Sequence, residues 1–537
     1  MLIILGSAIV GVAQGTKATN PATQNVTSRQ KADENSRIAD DITLTADEIA
    51  GEQAWFDSLG VKGSPLVEHP FSPPWSNRSF IVPTAWYRAL IVQWQGRPQT
   101  VSADRLRQDL PLLEMAMEKA YGGWDSAEKR GWNWQQWFAD WDKRLAAESK
   151  GKELPVREAM APFGELEEFQ LDNHSGPLNQ SANFGSGSRS AKLGAAPAGE
   201  CSEMKNTDGK SFVIDARDPA QRPKRALLAD LATPAWYVSY PAKRGEAHSI
   251  LCGGKWLDVT PAWQPEDAAR ISNILKLAQT EGDVPSFRVV SPEISYLRLP
   301  TFTKANGELL RKLAPTLEKS AGKERLLIVD LRGNGGGDAP LNTLAYWIQP
   351  RAIEQRLHLA QKLRQSCLYT ALRWGYQEVS IMRLQPPISD ALRNQLQNQV
   401  QGLSDPAPAD CPATLREEKS EWNYAQHKMP AKARFLVLVD NGCGSDCEFA
   451  TYLLAGEPGA VIAGVNTYGV AQFIQPGFFM LPHTRIPFHI SLGQSDIYGD
   501  GRSVDGYGLD VDLLLPGQAE QSPDAILKLA EKLLAGK

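Results

Sequence analysis

Residues 434–454 read RFLVLVDNGCGSDCEFATYLL, and this stretch decides the fold. The apolar run at 435–439 predicts a strand buried on both faces, because continuous runs of this kind are typical of parallel sheets. Asn441-Gly442 is a turn signal, and the apolar spacing from Phe449 onward predicts a helix. Ser445 therefore lies at a strand-to-helix junction, as either a helix N-cap or a nucleophile at the helix N-terminus.

The segments before this junction continue the same alternation. ISYLRLPTF (294–302) predicts a strand and NGELLRKLAPTLEKS (306–320) predicts a helix. RLLIVDLRGNGGGDAP (325–340) predicts a strand that runs into a glycine-rich turn. Strands that alternate with helices are typical of an α/β core, which we expect at 291–520 with a polar, mostly helical insertion at 350–432.

The rest of the chain divides into segments of different composition. In the helical N-terminal region, Trp134, Trp137 and Trp141 recur at helical spacing and predict a packed aromatic helix face, with a sugar-binding platform as the alternative. The predicted segments are a signal segment at 1–18, a disordered tail at 19–44, the helical region at 45–175, a linker and β-rich module without a clear PDZ signature at 176–290, and a C-terminal helix at 521–537.

The N-terminal segment and the cysteines both favour an exported protein. MLIILGSAIVGVAQGTKA (1–18) is short, apolar and ends in small residues, as a signal-peptide core does, with a lipid-free anchor as the alternative. Six cysteines fit up to three disulfides, whereas a reducing compartment would keep buried thiols. Pairing of neighbours would join Cys201 to Cys252, Cys367 to Cys411 and Cys443 to Cys447. We expect a periplasmic or extracellular location.

Composition and motifs exclude several classes of function. The 537 residues carry a net charge of only −5 and no basic stripe interleaved with aromatic residues, so nucleic acid is not an expected partner. Beyond the N-terminal segment no stretch is long and apolar enough for an integral membrane helix. No Cys-x-x-Cys motif or His/Cys cluster indicates a metal. The glycine run DLRGNGGG (330–337) lacks the Gly-Lys-Ser/Thr of a phosphate loop, but its backbone N–H groups are suited to holding an oxyanion.

Five segments, taken in order, resemble the C-terminal processing and tricorn-type serine peptidase family. They cover about residues 290–515 and are the strand with DLRGNGGG, the strand with GSDCEFATYLLAG, then VIAGVNTYG, GFFMLPHTRIPFHIS and DGYGLDVDLLLP. The resemblance implies a core like that of the ClpP/crotonase proteins and a peptide or protein substrate, with no cofactor or metal. It also implies that Ser445, three residues before Glu448, is the nucleophile.

The resemblance further assigns the general base. One branch of the family uses a Lys 25 residues after the Ser, but this chain has Val470 there, which cannot accept a proton. The tricorn-like branch uses a His from the helical region, and GELEEFQLDNHSG (164–176) places His174 in that role. The acid of that branch corresponds to Asp505, an Asp where the family has a Glu. A surface-loop histidine and a turn aspartate are the structural alternatives for these two residues.

Other residues complete this predicted site. The backbone N–H groups of Asp446 and of Gly336 or Gly337 would form the oxyanion hole, and Asn173 would help to orient the substrate. His483 and His489 are reserve candidates for the base. The sequence thus predicts an exported serine peptidase with a Ser-His-Asp arrangement. The alternative is an inactive relative that binds peptide, lipid or a protein partner.

Overall fold

A computed structural model describes most of the region after residue 99. The described residues are 100–148, 151–170, 172, 174–177, 187–262, 284–302, 306, 309, 312, 326–337, 360–365, 369, 414–419, 434–481, 484, 486–498 and 502–536. The predicted signal segment and tail therefore lie outside the described residues, as do Asn173, His483, Cys367 and Cys411.

Helices dominate the first part of the described chain, and two more follow in the second half. The helices are α1 (Ala103–Ala120), α2 (Trp124–Lys129), α3 (Trp134–Ala147), α4 (Val156–Ala159), α5 (Ala161–Gln170), α6 (Asp446–Leu454) and α7 (Pro523–Leu534). Trp134, Trp137 and Trp141 of α3 are buried in a cluster of stacked and edge-to-face rings. The packed aromatic face predicted for these tryptophans is thereby confirmed.

Strands account for most of the remaining described elements. They are β1 (Thr100–Ser102), β2 (Glu153–Pro155), β3 (Gly176–Pro177), β4 (Ser188–Leu193), β5 (Cys201–Asn206), β6 (Ser211–Val213), β7 (Lys224–Leu227), β8 (Pro234–Pro241), β9 (Ala247–Cys252), β10 (Lys255–Pro261), β11 (Ser286–Ser291), β12 (Ile294–Arg298), β13 (Leu326–Asp330), β14 (Ala360–Gln365), β15 (Thr414–Lys419), β16 (Arg434–Val439), β17 (Val461–Gly464), β18 (Phe473–Met480), β19 (Pro487–Ser495) and β20 (Leu513–Leu514).

One large mixed sheet runs through most of the described chain. Its strand order is β11-β12-β13-β16-β17-β20-β7-β8-β4-β10-β9-β5-β6, and the pairs from β12 to β7 are parallel. This arrangement confirms the α/β class, whereas the ClpP/crotonase-like form of the core stays a prediction. The β-rich module is continuous with the core, because β20 pairs with β7 at Leu513 and Leu227.

The insertion at 350–432 differs from its predicted helical character. Two of its described stretches are the strands β14 and β15, which join β19 and β18 in a second sheet with the order β15-β14-β19-β18. The polar sequence of these strands concealed them, because their pairing depends on β19, which lies far away in the sequence. This second sheet packs against the aromatic helices, where Phe488 meets Phe163 of α5.

The centre of the large sheet is buried on both faces. Successive side chains of a strand point to opposite faces, so β13 and β16 supply two layers of apolar residues. One layer, which includes Ile328 and Leu436, packs with residues of α7. The other, which includes Val329 and Val437, packs with residues of α6. The buried strand predicted at 435–439 is confirmed, and its C-terminal end carries the junction with Ser445.

Leu436→Ala is expected to lower the free energy of unfolding by about 2–5 kcal/mol, because it leaves a cavity at a fully buried position of β16. Leu415→Ala is the matched control: Leu415 of β15 is 50% exposed, and its truncation should cost less than about 0.5 kcal/mol. Calorimetric melting temperatures of both variants test this order. Equal losses would contradict the placement of β16 at the centre of the sheet.

Candidate active site

Ser445 occupies a strained turn between β16 and α6. Its φ is 56° and its ψ is −122°, and its side chain is 1% exposed. A positive φ is uncommon for a residue with a side chain, and such strain is concentrated at functional sites. An N-cap residue normally has extended backbone angles. Ser445 precedes the first residue of α6, as an N-cap residue does, but its backbone angles are not the extended ones of an ordinary N-cap.

A disulfide braces this turn. Cys443 and Cys447, one on each side of Ser445, are bonded, with their Cα atoms 5.2 Å apart. Cys201 and Cys252 form a second disulfide between β5 and β9. Two of the three predicted pairings are thus confirmed, and the third lies outside the described residues.

The glycine-rich turn after β13 packs directly on the serine turn. Gly444 N–H donates to the carbonyl of Asn334 at 3.0 Å. The Oδ1 atom of Asp440 accepts from Gly333 N–H at 2.8 Å and from Gly442 N–H at 2.7 Å. One carboxylate oxygen therefore joins the two turns, which fixes the glycine run relative to Ser445.

The contact is closest at Gly336, whose φ is 95°. A Cβ atom at this position would lie 3.0 Å from both the Cβ of Ser445 and the backbone N of Asp446. The N–H of Gly336 already donates to Asn334 Oδ1, so it is not available to an oxyanion. The N–H of Gly337 has no hydrogen bond within the described part of the chain. Of the two glycines predicted for an oxyanion hole, Gly337 is the one that retains an unused donor.

Glu448, in the first turn of α6, connects the serine turn to the loop at 466–470. Its buried carboxylate accepts hydrogen bonds from four donors: Ser445 N–H at 3.1 Å, the hydroxyl of Thr467, Gly469 N–H at 2.8 Å and Val470 N–H at 2.8 Å. Burial raises the pKa of Glu448 to about 7, although these hydrogen bonds lower it. In the sequence, Glu448 served only to identify Ser445 by its position three residues later. The structure shows that its carboxylate also joins two loops through hydrogen bonds.

Val470 lies beside the serine turn, at the position where one family branch has its lysine. A Cβ atom on Gly444 would come within 3.2 Å of Val470 Cγ2. The Val470 side chain is buried and apolar. No proton acceptor is therefore available at this position.

His174 follows α5 in a tight turn. Its backbone N–H donates to Asp172 Oδ1 at 2.8 Å, and both ring nitrogens are buried and have no hydrogen-bond partner among the described residues. Burial lowers the pKa of His174, and the charge of Asp172 raises it. His489 of β19 is close by: burial and then His174 lower the pKa of His489 to about 3.

Asp505 is fully buried and is held by the backbone at the start of β18. Its carboxylate accepts from Gln472 N–H at 2.7 Å and from Phe473 N–H at 3.4 Å. Burial raises the pKa of Asp505 well above its usual range; the Gln472 hydrogen bond lowers it, and the charges of Glu448 and Asp172 raise it. The negative charges of Glu448 and of Asp172 thus both act on the pKa of Asp505. No hydrogen bond joins its carboxylate to the His174 ring.

Asp172 was missed in the sequence. Its carboxylate is 2% exposed and accepts hydrogen bonds from His174 N–H, Ser175 Oγ and Ser491 Oγ. The one available signal was an aspartate two residues before the candidate base, which is common in polar turns. Among the described residues, no group of three or more His, Cys, Asp or Glu side chains is arranged to hold a metal ion.

Comparison with known proteins gives a family for the core. Residues 293–512 match the model of peptidase family S41, which confirms the resemblance found in the motifs. No curated protein matches the chain in sequence.

Several solved structures are similar to the chain at low identity. Mature CPAF is 15% identical, with a TM-score of 0.38, and the match covers 80% of this chain and 96% of that one. For the photosystem II D1 C-terminal processing protease the identity is 14%, the TM-score 0.35 and the coverage 80% and 96%. For the tricorn protease the identity is 11%, the TM-score 0.32 and the coverage 80% and 37%.

Gly336→Ala is expected to remove reaction of Ser445 with a fluorophosphonate, because the added methyl group would occupy the space between Ser445 and Asp446 N. The matched control is Gly131→Ala: Gly131 has a φ of 98°, but nothing lies within 4 Å of its Cβ position. Backbone strain of about 1–3 kcal/mol should affect both variants. Labelling by Gly336→Ala at the rate of the control would contradict the close contact.

Glu448→Gln is expected to remove a pH-dependent part of the stability. Because the pKa of Glu448 is raised from 4.5 to about 7, its contribution is fully present below pH 4.5 and is lost as the pH rises through about 7. Relative to the variant, the parent should gain about 3 kcal/mol as the pH falls from 8 to 4.5. Calorimetry of both proteins tests this, with Glu153→Gln on exposed β2 as the control. A constant difference across that range would contradict it.

Proposed function

Because residues 293–512 match the model of peptidase family S41, we propose that the chain is an exported serine peptidase that cleaves peptide or protein substrates through an acyl-enzyme. The family supports a peptidase in general. The Ser-His-Asp arrangement, with Ser445, His174 and Asp505, is our assignment. The observation that carries it is the positive φ of buried Ser445, held against Gly336 at a helix N-terminus.

In the proposed reaction, Ser445 Oγ bonds to the carbonyl carbon of the scissile peptide while His174 takes the hydroxyl proton. The carbonyl oxygen becomes an oxyanion near the N–H groups of Gly337 and Asp446, and the positive end of the α6 dipole stabilises it. His174 then returns the proton to the leaving amine. Water attacks the acyl group in the second half of the reaction, with His174 again acting as the base.

The neutral form of His174 is available for this role near pH 7. Burial lowers its pKa, so the imidazole is able to accept a proton when substrate arrives. Asp505 is the third member assigned by the family resemblance, and it lies within electrostatic reach of Asp172 next to the base. Val470 supports the histidine assignment, since it leaves no lysine beside the serine turn.

Export is part of the proposal. The disulfides Cys201–Cys252 and Cys443–Cys447 support an oxidising compartment, either periplasmic or extracellular. Within the described residues, no helix is both long enough and apolar enough to cross a membrane.

An inactive relative that binds peptide, lipid or a protein partner is the second candidate. The observation that favours it is that neither ring nitrogen of His174 has a hydrogen-bond partner in the part of the chain that the structure describes. Catalytic hydrogen bonds are often completed only when substrate binds, so this observation agrees with both candidates. Labelling of the serine distinguishes them.

Ser445→Ala and His174→Ala are both expected to abolish fluorophosphonate labelling of the purified protein, because one removes the nucleophile and the other its base. The matched controls are Ser239→Ala, a buried serine of β8, and His248→Ala, an exposed histidine of β9; both should label like the parent. An unlabelled but folded parent would favour the binding protein. Loss in Ser445→Ala alone would move the base to another residue, with His489 the first to test.

A further inference from the structure

Asp172 is buried, and its carboxylate has no cationic partner within the described part of the chain. It accepts from His174 N–H at 2.8 Å, Ser175 Oγ at 2.6 Å and Ser491 Oγ at 3.3 Å. All three donors are neutral, and no ion pair to Asp172 occurs among the described residues. A buried carboxylate is costly unless a positive charge compensates it. Such a site is suited to a cation that exists only during a reaction.

The ring of His174 is a buried group that can become a cation. It belongs to the same turn as Asp172, and neither ring nitrogen has a partner in the described structure. A buried polar group left without a hydrogen bond costs about 1–3 kcal/mol, and one in a native protein requires an explanation. An imidazole that must accept a proton from a serine provides that explanation. Burial lowers the pKa of His174, and the charge of Asp172 acts against this by favouring the protonated form.

Asp505 differs from Asp172 in the groups that its carboxyl contacts. Its two hydrogen bonds come from backbone N–H groups of Gln472 and Phe473, at the start of β18. Burial raises the pKa of Asp505 well above its usual range. No hydrogen bond joins the Asp505 carboxyl to the His174 ring, and the charge that acts on the pKa of His174 is that of Asp172.

The surroundings of the His174 turn come from several elements. Ser491 of β19 joins the turn twice, as donor to Asp172 and through its N–H to Ser175 Oγ at 2.9 Å. Gly122, between α1 and α2, donates its N–H to the Ser491 carbonyl at 2.8 Å. The titratable groups that face the turn are Tyr121, His489 and Asp505. None of these three brings a positive charge to Asp172 at neutral pH.

We propose that Asp172 is a positioning residue that acts through His174: it fixes the turn that carries the imidazole and supplies the negative charge that stabilises the imidazolium. The inference rests on the proposed function and refines the part given there to Asp505. During attack the Ser445 hydroxyl proton passes to a ring nitrogen of His174, and the charge pair with Asp172 exists until the leaving amine takes that proton.

The first test is an NMR titration of the His174 ring in the full chain. The seven histidines are distinguished by the signal that disappears in His174→Gln. Asp172→Asn keeps the oxygen that accepts His174 N–H and removes the charge, so the pKa of His174 should fall by about 1 unit or more. Asp505→Asn and the exposed control Asp208→Asn should leave it within about 0.3 unit of the parent.

Two further variants separate charge from loop structure. Ser175→Ala removes a hydrogen bond to Asp172 but keeps the charge, and it should leave the pKa of His174 unchanged. Asp172→Glu also keeps the charge, and it remains informative if Asp172→Asn fails to fold. A fall of the His174 pKa in Asp172→Glu as large as that expected for Asp172→Asn would overturn the proposal.

The second test is the rate of fluorophosphonate labelling against pH. In Asp172→Asn the rising limb should move to lower pH with the pKa of His174, and the plateau should fall by about 10²-fold or more. If Asp172→Asn leaves the pKa of His174 unchanged, or if Asp505→Asn lowers it instead, the proposal is wrong. If the titration behaves as expected but the parent is never labelled, the pairing of Asp172 with His174 stands and the peptidase function fails.

Discussion

The buried carboxylate of Glu448 is the contact on which the site depends. It accepts three backbone N–H groups and one hydroxyl, from the serine turn on one side and the 466–470 loop on the other. These hydrogen bonds hold Ser445 in a conformation that a free chain would rarely adopt. The disulfide between Cys443 and Cys447 constrains the same turn covalently. The strain at Ser445 is therefore held in place by the packing around it.

Much of the core could be predicted because its signals are local. The run at 435–439, the Asn441-Gly442 turn and the apolar spacing after Ser445 all lie within one short segment, and each has a single structural interpretation. The same holds for β13 and its glycine turn. The order of five such segments then gave the family. Local pattern and global fold agree here, as they do in most natural proteins.

Other features could not be predicted, because they depend on residues that are distant in sequence. The buried environment of Asp172 depends on Ser491, which lies 319 positions away and donates a hydrogen bond to its carboxylate. In the insertion, β14 pairs with β19, which lies far away in the sequence, and β15 pairs with β14. Gly336 and Gly337 were both candidates for the oxyanion hole. The structure separates them, because the Asn334 side chain accepts a hydrogen bond from Gly336 N–H. The spacing of residues in the sequence does not reveal these contacts.

The pairing of β20 with β7 makes the β-rich module an extension of the core sheet. Tyr237 of β8 strengthens the junction by accepting a hydrogen bond from Val511 N–H at its hydroxyl. Domains joined by a flexible linker can reorient freely, whereas reorienting strands of one sheet requires breaking backbone hydrogen bonds. The module is therefore held rigidly in the same sheet as the strand that leads to Ser445. For the proposed peptidase, this means that a polypeptide approaching Ser445 meets a fixed surface on the side of the module and has to adapt its own shape to it.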